Sequence, residues 1–414
     1  MLSRHAQSPP AADLRLPDHP REWAAFYRAH LLEFVMPYWR RPGVLDREHD
    51  GLLNCRDDAG NLISADKYMW SQTRGLWTFS ALYRRVERRP EWREIADSLF
   101  AFCRRHGRAG SGAWHYRVTR EGAPLDGALS IATDSFAIAG MTEYARATGN
   151  AEAVDIARST FQQMNRRIRH GQPPPFAPYV VPPGMKVQGI AMISSLAFYE
   201  LGELLGEAEI LAASAHFTRQ ILEEFARPEH RAVVEHVRND GSFADTPEGR
   251  TMVPGHGIEA MWFQLEIFRR KGDGAPPALL LEAMRWCLER GWDQEYGGLM
   301  LGLDIFGKDP PYWKHSTTKP WWPATETLVA TLMACEVDRS PRWLEEHRRV
   351  ADWALAHYPV PEHGEWRQRL DRQGRPYANI IGLPVKDPFH LPRALIYTLE
   401  ILGRLAKAGD ARFA

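Results

Sequence analysis

The sequence predicts an all-α fold in which about twelve helices close into an (α/α)6 barrel. Apolar residues recur at spacings of three and four in about twelve segments, and almost no segment alternates with the period of a strand. The connections between the segments also alternate between short and long. The predicted helices cover residues 21–40, 66–88, 91–107, 130–148, 151–170, 185–206, 208–226, 256–271, 277–291, 322–337, 341–358 and 389–407.

The two kinds of connection define the order of the barrel. Short links hold helix breakers, such as Arg89-Pro90 and Gly149-Asn150, and each joins two helices into an antiparallel hairpin. Long links recur about every 62 residues along the chain. Most of them place a Gly or acidic turn before a short apolar stretch, as in NDGSFADTPEG, which predicts small β-excursions at one rim.

These connections predict one catalytic domain over residues 21–407. The chain starts with one helix, continues with five units of a long loop plus a hairpin, and ends with a single helix. The first and last helices must therefore pair to complete the sixth hairpin of the ring. Residues 1–20, which are rich in Pro and Ala, are predicted to be a flexible N-terminal tail.

Composition excludes several functional classes. The chain has 414 residues, with 52 Lys and Arg against 52 Asp and Glu, so no net charge attracts nucleic acid or an anionic membrane. Its four cysteines lack the spacing of a zinc site or a disulfide framework. No signal-like segment or run of eighteen apolar residues is present, so we expect a cytoplasmic protein. The 15 Trp residues are platforms for sugar rings, although Trp also packs helices together.

Residues suited to chemistry lie at the start of the helices that follow the long loops. These helices form the same-handed inner set, so their N-termini open onto one rim. A ring of helix N-termini supplies partial positive charge, which favours an anionic intermediate such as an enediolate.

Two histidines are the candidate acid/base pair. His256 and His390 lie on the fourth and sixth inner helices, from which their side chains can converge on one substrate. Glu259 follows His256 by three residues and is expected to orient the imidazole. Arg74 lies in an apolar helix and is expected to hold a carbonyl oxygen, although a carboxylate such as Glu259 or Asp134 is an alternative partner.

Several motifs, in order along residues 20–405, resemble the N-acylglucosamine 2-epimerase superfamily. They are DREHDG, DKYMWSQTRGLWTFSALYR, DSFAIAGMTEYARATG, PGHGIEAMWF, GWDQEYGGL, KPWWPATE, GEWRQRLDRQG and DPFHLPRAL. The resemblance, which extends to cellobiose 2-epimerases, mannose isomerases and sulfoquinovose isomerases, implies an (α/α)6 barrel without a nicotinamide cofactor. It implies catalytic roles for Arg74, His256, Glu259 and His390. Candidate substrate-binding residues are Trp321, Trp322, Glu326, Asp134 and Tyr68.

Two departures from the family pattern bear on the substrate. Cellobiose epimerases carry a further histidine in the third inner helix, whereas PPGMKVQGIAMISS has none. This absence argues for a monosaccharide substrate. The charged KHSTTK segment is unusual as well, and His315 and Lys319 in it either recognise a substrate substituent or belong to a solvated loop.

The predicted function is proton transfer at C2 of an open-chain sugar through a cis-enediolate, as in N-acylglucosamine 2-epimerases. Aldose-ketose isomerisation of the mannose isomerase type stays open. A glycoside hydrolase using Asp134 and Glu326 is a rival, as is a non-catalytic carbohydrate-binding barrel. We expect no metal, no cofactor, no nucleic acid and no membrane partner. A nucleotide effector and a homodimer are left open.

Overall fold

The fold is the predicted all-α barrel. The computed structural model describes residues 14–56, 60–169, 175–272, 274, 276–309, 311–377 and 387–413. This part of the chain forms twelve long helices. They are α1 (Trp23–Ala29, continued by His30–Val35 and Met36–Trp39), α2 (Met69–Ala81, continued by Leu82–Val86), α3 (Pro90–His106), α4 (Ile131–Thr148), α5 (Ala151–Arg169), α6 (Gln188–Leu205), α7 (Ala208–Gln220, continued by Ile221–Phe225), α8 (Pro254–Lys271), α9 (Ala278–Gly291), α10 (Trp321–Val337), α11 (Pro341–His357) and α12 (His390–Lys407). Short 3-10 turns cover Pro20–Glu22 and Pro228–His230.

The helices alternate between an inner and an outer ring. Helices α2, α4, α6, α8, α10 and α12 each contact the next, and α12 contacts α2, so the inner ring closes. Each of α3, α5, α7, α9 and α11 packs on the inner helix that precedes it, while α1 packs on α12. The two ends of the chain therefore complete the sixth pair, as predicted.

Short strands tie the long loops together at one rim. They are β1 (Lys67–Tyr68), β2 (Arg117–Val118), β3 (Pro124–Asp126), β4 (Met185–Val187), β5 (Ala226–Arg227), β6 (Ala232–Val233), β7 (His236–Arg238), β8 (Thr251–Met252), β9 (Leu303–Asp304), β10 (Lys319–Pro320), β11 (Pro359–Val360), β12 (Glu365–Trp366) and β13 (Arg369–Leu370). The antiparallel pairs β1–β2, β4–β7, β8–β9 and β10–β13 each join two long loops, whereas β2–β3, β5–β6 and β11–β12 pair within one loop. The predicted β-excursions are confirmed, and they hold neighbouring loops in fixed positions.

Two predicted helix starts were early by three residues. The helices predicted from 66 and 185 begin at Met69 and Gln188 because the residues before them are strands β1 and β4. These strand residues pair with distant loop segments, a contact that local periodicity does not reveal.

Close helix packing in the inner ring depends on small residues. At Gly140 of α4, an added Cβ would lie 2.4 Å from the carbonyl oxygen of Thr73 on α2. A side chain at this position would therefore separate the two backbones.

The predicted N-terminal tail falls partly outside the described residues, which begin at 14. Its described part lies against the barrel. Leu16 is buried, and the carbonyl oxygen of Pro17 accepts hydrogen bonds from Trp23 Nε1 and Arg348 Nη2, both at 2.8 Å. None of the helices in the described ranges is long and apolar enough to cross a membrane.

Candidate active site

The rim that carries the helix N-termini holds a cavity of about 470 Å³. This volume lies in the range of small-molecule sites. All six inner helices line the cavity, with loops completing its mouth. The helical lining consists of Trp70, Arg74, Ala132, Phe136, Gly189, Met192, Ile193, His256, Glu259, Trp321, Trp322 and His390. The first turns predicted to hold the chemistry therefore do converge on one space.

His256 occupies the first turn of α8 between two glycines. The helix begins at Pro254, whose ring fixes the backbone at its first position. An added Cβ at Gly255 would lie 2.4 Å from the Trp322 ring, and one at Gly257 would lie 2.5 Å from Cys287 Sγ. Because the two glycines have no side chain, α8 can approach α10 and α9 closely, and the imidazole lies against the Trp322 indole.

The carboxylate that orients His256 is Glu235, which the sequence analysis missed. His256 Nδ1 donates a hydrogen bond to Glu235 Oε2 at 2.9 Å, and both side chains are buried. Burial lowers the pKa of His256, but the nearby Glu235 and Glu259 carboxylates raise it by more, so the net pKa lies above its usual value. The assignment of Glu259 as the orienting partner was wrong, because its carboxylate is engaged by Arg393 at 2.5 Å.

His390 is held by a second carboxylate. Its Nδ1 donates to Glu326 Oε1 at 2.7 Å, and the other oxygen of Glu326 accepts from Trp262 Nε1 at 2.9 Å. Glu326 does not line the cavity, so the structure does not support its predicted contact with substrate. Burial lowers the pKa of His390 well below its usual value, and the nearby Arg74 guanidinium lowers it further.

Arg393 of α12 pairs with carboxylates of two other inner helices, α8 and α10. Its guanidinium lies 2.5 Å from Glu259 and 2.8 Å from Glu326. In the described ranges, Glu259, Glu326 and His390 are the one group whose ligand atoms could hold a metal ion. The guanidinium already provides the positive charge that these two carboxylates require, so the donor set is satisfied without a metal.

Arg74 is buried between aromatic rings. Its guanidinium lies 3.9 Å from the centroid of the Phe136 ring, with Trp70 and Phe389 slightly farther away. Its ion-pair partner is Asp387, at 3.7 Å, rather than Glu259 or Asp134 as considered from sequence. Burial lowers the pKa of Arg74 to about 10 and raises the pKa of Asp387 to about 7.

The Nε atom of Arg74 has no hydrogen-bond partner within the described part of the chain. A buried guanidinium donor without a partner is costly in free energy. Arg74 also lines the cavity, so its guanidinium can meet a bound oxygen there.

Aromatic side chains shape the space around the histidines. The Trp322 ring lies 5.0 Å from the His256 ring and 5.8 Å from the His390 ring, measured between centroids. Tyr179 and Trp313 stack on each other at 5.6 Å, and both meet His256 edge-on. These two aromatic residues come from long loops and were not predicted as site residues.

Two candidate substrate-binding residues lie elsewhere. Asp134 is fully buried behind the cavity and pairs with Arg167 of the outer helix α5 at 2.9 Å. Tyr68 packs edge-on against Tyr116, with ring centroids 5.6 Å apart. Neither lines the cavity, so the structure does not support a substrate contact for Asp134 or Tyr68.

In the charged loop before α10, the residues that line the cavity are not the two that the sequence indicated. Lys319 is fully buried and pairs with Asp293 at 3.2 Å, while His315 Nδ1 lies 2.8 Å from the Tyr377 hydroxyl. The cavity is instead lined by Trp313 and Lys314 of this loop. The third inner helix contributes Gly189, Met192 and Ile193, in agreement with its lack of a histidine.

Comparison with known proteins identifies the family. A sequence model of the N-acylglucosamine 2-epimerase (GlcNAc 2-epimerase) family matches residues 51–391. The chain belongs to this family. It is 31% identical over 392 residues to the N-acylglucosamine 2-epimerase of Bos taurus, and the match covers 91% of this chain and 90% of the bovine protein. The protein is thus an epimerase or isomerase of sugars, which confirms the class predicted from its motifs.

Solved structures agree on the fold of this family member. Cellobiose 2-epimerase from Spirochaeta thermophila superposes with a TM-score of 0.80 at 22% identity, covering 93% of this chain and 98% of that one. A D-mannose isomerase superposes with a TM-score of 0.78 at 19% identity, covering 91% and 97% of the two chains. Both likenesses support the (α/α)6 barrel.

Proposed function

We propose that this enzyme moves a proton at C2 of an open-chain monosaccharide by two-histidine chemistry. The observation that carries the proposal is a pair of buried imidazoles that line one cavity and contact the same indole. Each imidazole is anchored through Nδ1 to its own carboxylate, which leaves Nε2 as the nitrogen that can exchange a proton with a ligand.

The surroundings of the two histidines shift their pKa values in opposite directions, which suits an acid and a base. The pKa of His390 lies well below its usual value and the pKa of His256 lies above it, so we assign His390 as the base and His256 as the acid. Two groups whose environments separate their pKa values are a common solution for acid/base catalysis in one site.

The reaction follows from this assignment. His390 Nε2 takes the proton from C2, and the electron pair of that C–H bond forms the C1–C2 double bond while the carbonyl electrons move onto the C1 oxygen. The resulting enediolate charge develops beside the Arg74 guanidinium, which lines the cavity. His256 then returns a proton to C2 on the opposite face, which gives the 2-epimer. Delivery to C1 instead, with the proton of the C2 hydroxyl moving to the C1 oxygen, gives the ketose.

The two alternative functions considered from the sequence have weaker support from the structure. A glycoside hydrolase would need two carboxylates free to act at one bond. The candidates Asp134 and Glu326 are instead paired with Arg167 and Arg393, and neither lines the cavity. A non-catalytic sugar-binding barrel would leave two carboxylate-anchored histidines without a role.

The apolar third inner helix supports a monosaccharide as substrate. Met192 and Ile193 offer no hydrogen bond to a second sugar unit at this wall. N-acetylglucosamine and N-acetylmannosamine are the first pair to test, and we expect negligible activity on cellobiose and lactose. Action without a cofactor, a nucleotide effector, a homodimer and a cytoplasmic location are retained as proposals from sequence.

The proposal is tested by incubating the enzyme in heavy water with glucose, mannose, fructose and the N-acetylated hexosamines. NMR identifies the products and the position of deuterium. Deuterium at C2 of an epimer establishes epimerisation, and deuterium at C1 of a ketose formed from an aldose establishes isomerisation. Conversion without solvent deuterium in the product would contradict proton exchange through the histidines.

A further inference from the structure

Basic side chains outnumber acidic ones in the lining of the cavity. Three basic side chains line it, Arg74, Lys314 and Arg369. Glu259 is the one carboxylate among its lining residues, and Arg393 already neutralises it at 2.5 Å. The charges that a ligand meets are therefore cationic, whereas the chain as a whole has no net charge.

Arg369 is fixed in position by its backbone. It belongs to β13, where it pairs with Pro320 of β10, the residue immediately before the cavity residue Trp321. The neighbouring backbone amide of Trp321 donates to the Gln368 carbonyl oxygen at 3.2 Å. This pairing fixes the Arg369 backbone beside the cavity that this residue lines.

Arg369 differs from other arginines of the same hairpin in its contacts. Arg372 pairs with Asp293 at 3.1 Å, and Arg375 pairs with Asp371 at 2.8 Å. Within the described ranges, the half-buried Arg369 side chain has neither a hydrogen bond nor an ion pair, and the Lys314 ammonium has none either. Two cations are thus left without a protein counter-charge at one cavity.

A planar guanidinium is matched in geometry by carboxylate and phosphate oxygens, and bonds to such groups are stronger than bonds to neutral hydroxyls. Arg74 is required beside the reacting carbons, where it faces the enediolate oxygen. Arg369 lies on β13 and Lys314 on the loop before β10, whereas His256 and His390 lie on helices α8 and α12. The two loop cations line the same cavity from different elements than the histidines, which suits a part of the sugar other than C1 and C2.

We propose that the preferred substrate carries an anionic group, a phosphate or a carboxylate, at the end of the sugar remote from C1 and C2, and that Arg369 and Lys314 bind it. This inference rests on the proposed function for the orientation of the sugar. It adds a substrate class, the acidic monosaccharides, and two specificity-determining residues that act in binding rather than in proton transfer.

Unreactive open-chain analogues test the anion site apart from catalysis. Glucitol, glucitol 6-phosphate and gulonate, the reduced form of glucuronate, lack the aldehyde group at C1 and therefore cannot react. Titration calorimetry of the wild-type enzyme is expected to show at least about tenfold tighter binding of an anionic analogue than of glucitol, the gain of one or two charge-assisted hydrogen bonds. The preference of phosphate over carboxylate, or the reverse, distinguishes sugar phosphates from sugar acids.

Two variants test whether Arg369 and Lys314 are the residues that bind the anionic group. The double variant Arg369→Gln/Lys314→Gln should bind all three analogues with about the affinity of glucitol, which itself should not change. Arg375→Gln, which removes a paired arginine from the same hairpin, is the matched control and should keep the preference for the anion. Equal binding of the three analogues to wild-type enzyme, or an anion preference that survives the double variant, would overturn the inference.

The outcome is separable from that of the proposed function. If no sugar exchanges deuterium at C1 or C2, yet glucitol 6-phosphate or gulonate still binds tightly through Arg369 and Lys314, the proton-transfer proposal fails and the anion site stands. If neutral and phosphorylated sugars react with the same KM, the anion site fails and the proton-transfer proposal stands.

Discussion

The Glu235→Gln variant removes the negative charge beside His256 while keeping a side chain that can accept its hydrogen bond. The Glu235 carboxylate accepts from His256 Nδ1 at 2.9 Å, and both side chains are buried. A glutamine oxygen can still accept this hydrogen bond, so the imidazole keeps its orientation. What the variant removes is the negative charge that raises the pKa of His256.

The expected size of the effect follows from this contact. A hydrogen bond to a charged group contributes about 1.5–3 kcal/mol, whereas the neutral bond that glutamine keeps contributes about 0.5–1.5 kcal/mol. The variant therefore loses about 1–1.5 kcal/mol, and because one pKa unit corresponds to about 1.36 kcal/mol, the pKa of His256 should fall by about one unit. In the direction catalysed with His256 as acid, activity is lost as pH rises through this pKa, so the alkaline limb of kcat/KM should move to lower pH by the same amount.

The assay is the pH profile of kcat/KM, with the melting temperature as a check on folding. Glu229→Gln is a suitable control because Glu229 is 54% exposed and makes only a 4.0 Å contact with Arg227. An alkaline limb that stays in place in folded Glu235→Gln enzyme would refute the role of Glu235 in charging His256. The acid limb should not move, because it reports His390, whose pKa is lowered mainly by burial.

Three further substitutions test other parts of the account. His256→Asn and His390→Asn should each lower turnover by about 10² to 10⁴ fold with the fold intact, and near-normal turnover in either would remove that histidine from the pair. Arg74→Lys keeps the charge but loses the planar fork, so turnover should fall strongly with a smaller change in KM; an unchanged kcat would make Arg74 structural. Gly255→Ala would place a Cβ 2.4 Å from the indole between the histidines, so we expect a loss of about 1–3 kcal/mol in stability together with lower turnover. Gly403→Ala, which meets nothing within 4 Å, is its control and should be neutral or stabilising; equal melting temperatures and activities for the two variants would contradict the packing argument.

Much of the fold, and several residues that line the cavity, could be predicted from sequence, because both depend on local patterns. Helical periodicity located the twelve helices, and recurrence of the long loops predicted the closed ring. The N-terminal halves of the inner helices hold His256, His390 and Arg74, and all three line the cavity.

The partners of these residues could not be predicted, because they come from distant segments. Glu259 was chosen for His256 by its spacing of three on one helix, but the structure brings Glu235 to the imidazole from the loop between β6 and β7. Asp387 reaches Arg74 from more than three hundred residues along the chain. Spacing rules apply only within one helix, so such contacts appear only when the ring closes.

Loop residues were missed for a similar reason. Tyr179 and Trp313 stand in irregular segments, where no periodicity indicates which way a side chain points. Asp134 shows the opposite error: it has the right position in an inner helix, but its carboxylate faces Arg167 of the outer ring. A position near the rim was therefore necessary for a place in the site but not sufficient.

The most direct test of the two-histidine account is exchange of the C2 proton from each epimer in heavy water, measured by NMR for His256→Asn and His390→Asn. If each imidazole serves one face of C2, each variant should exchange the C2 proton of only one epimer, and the two variants should select opposite epimers. This result follows because the remaining base can remove a proton only from its own side of the enediolate. Loss of exchange from the same epimer in both variants, or retention of exchange from both epimers in either one, would contradict the account.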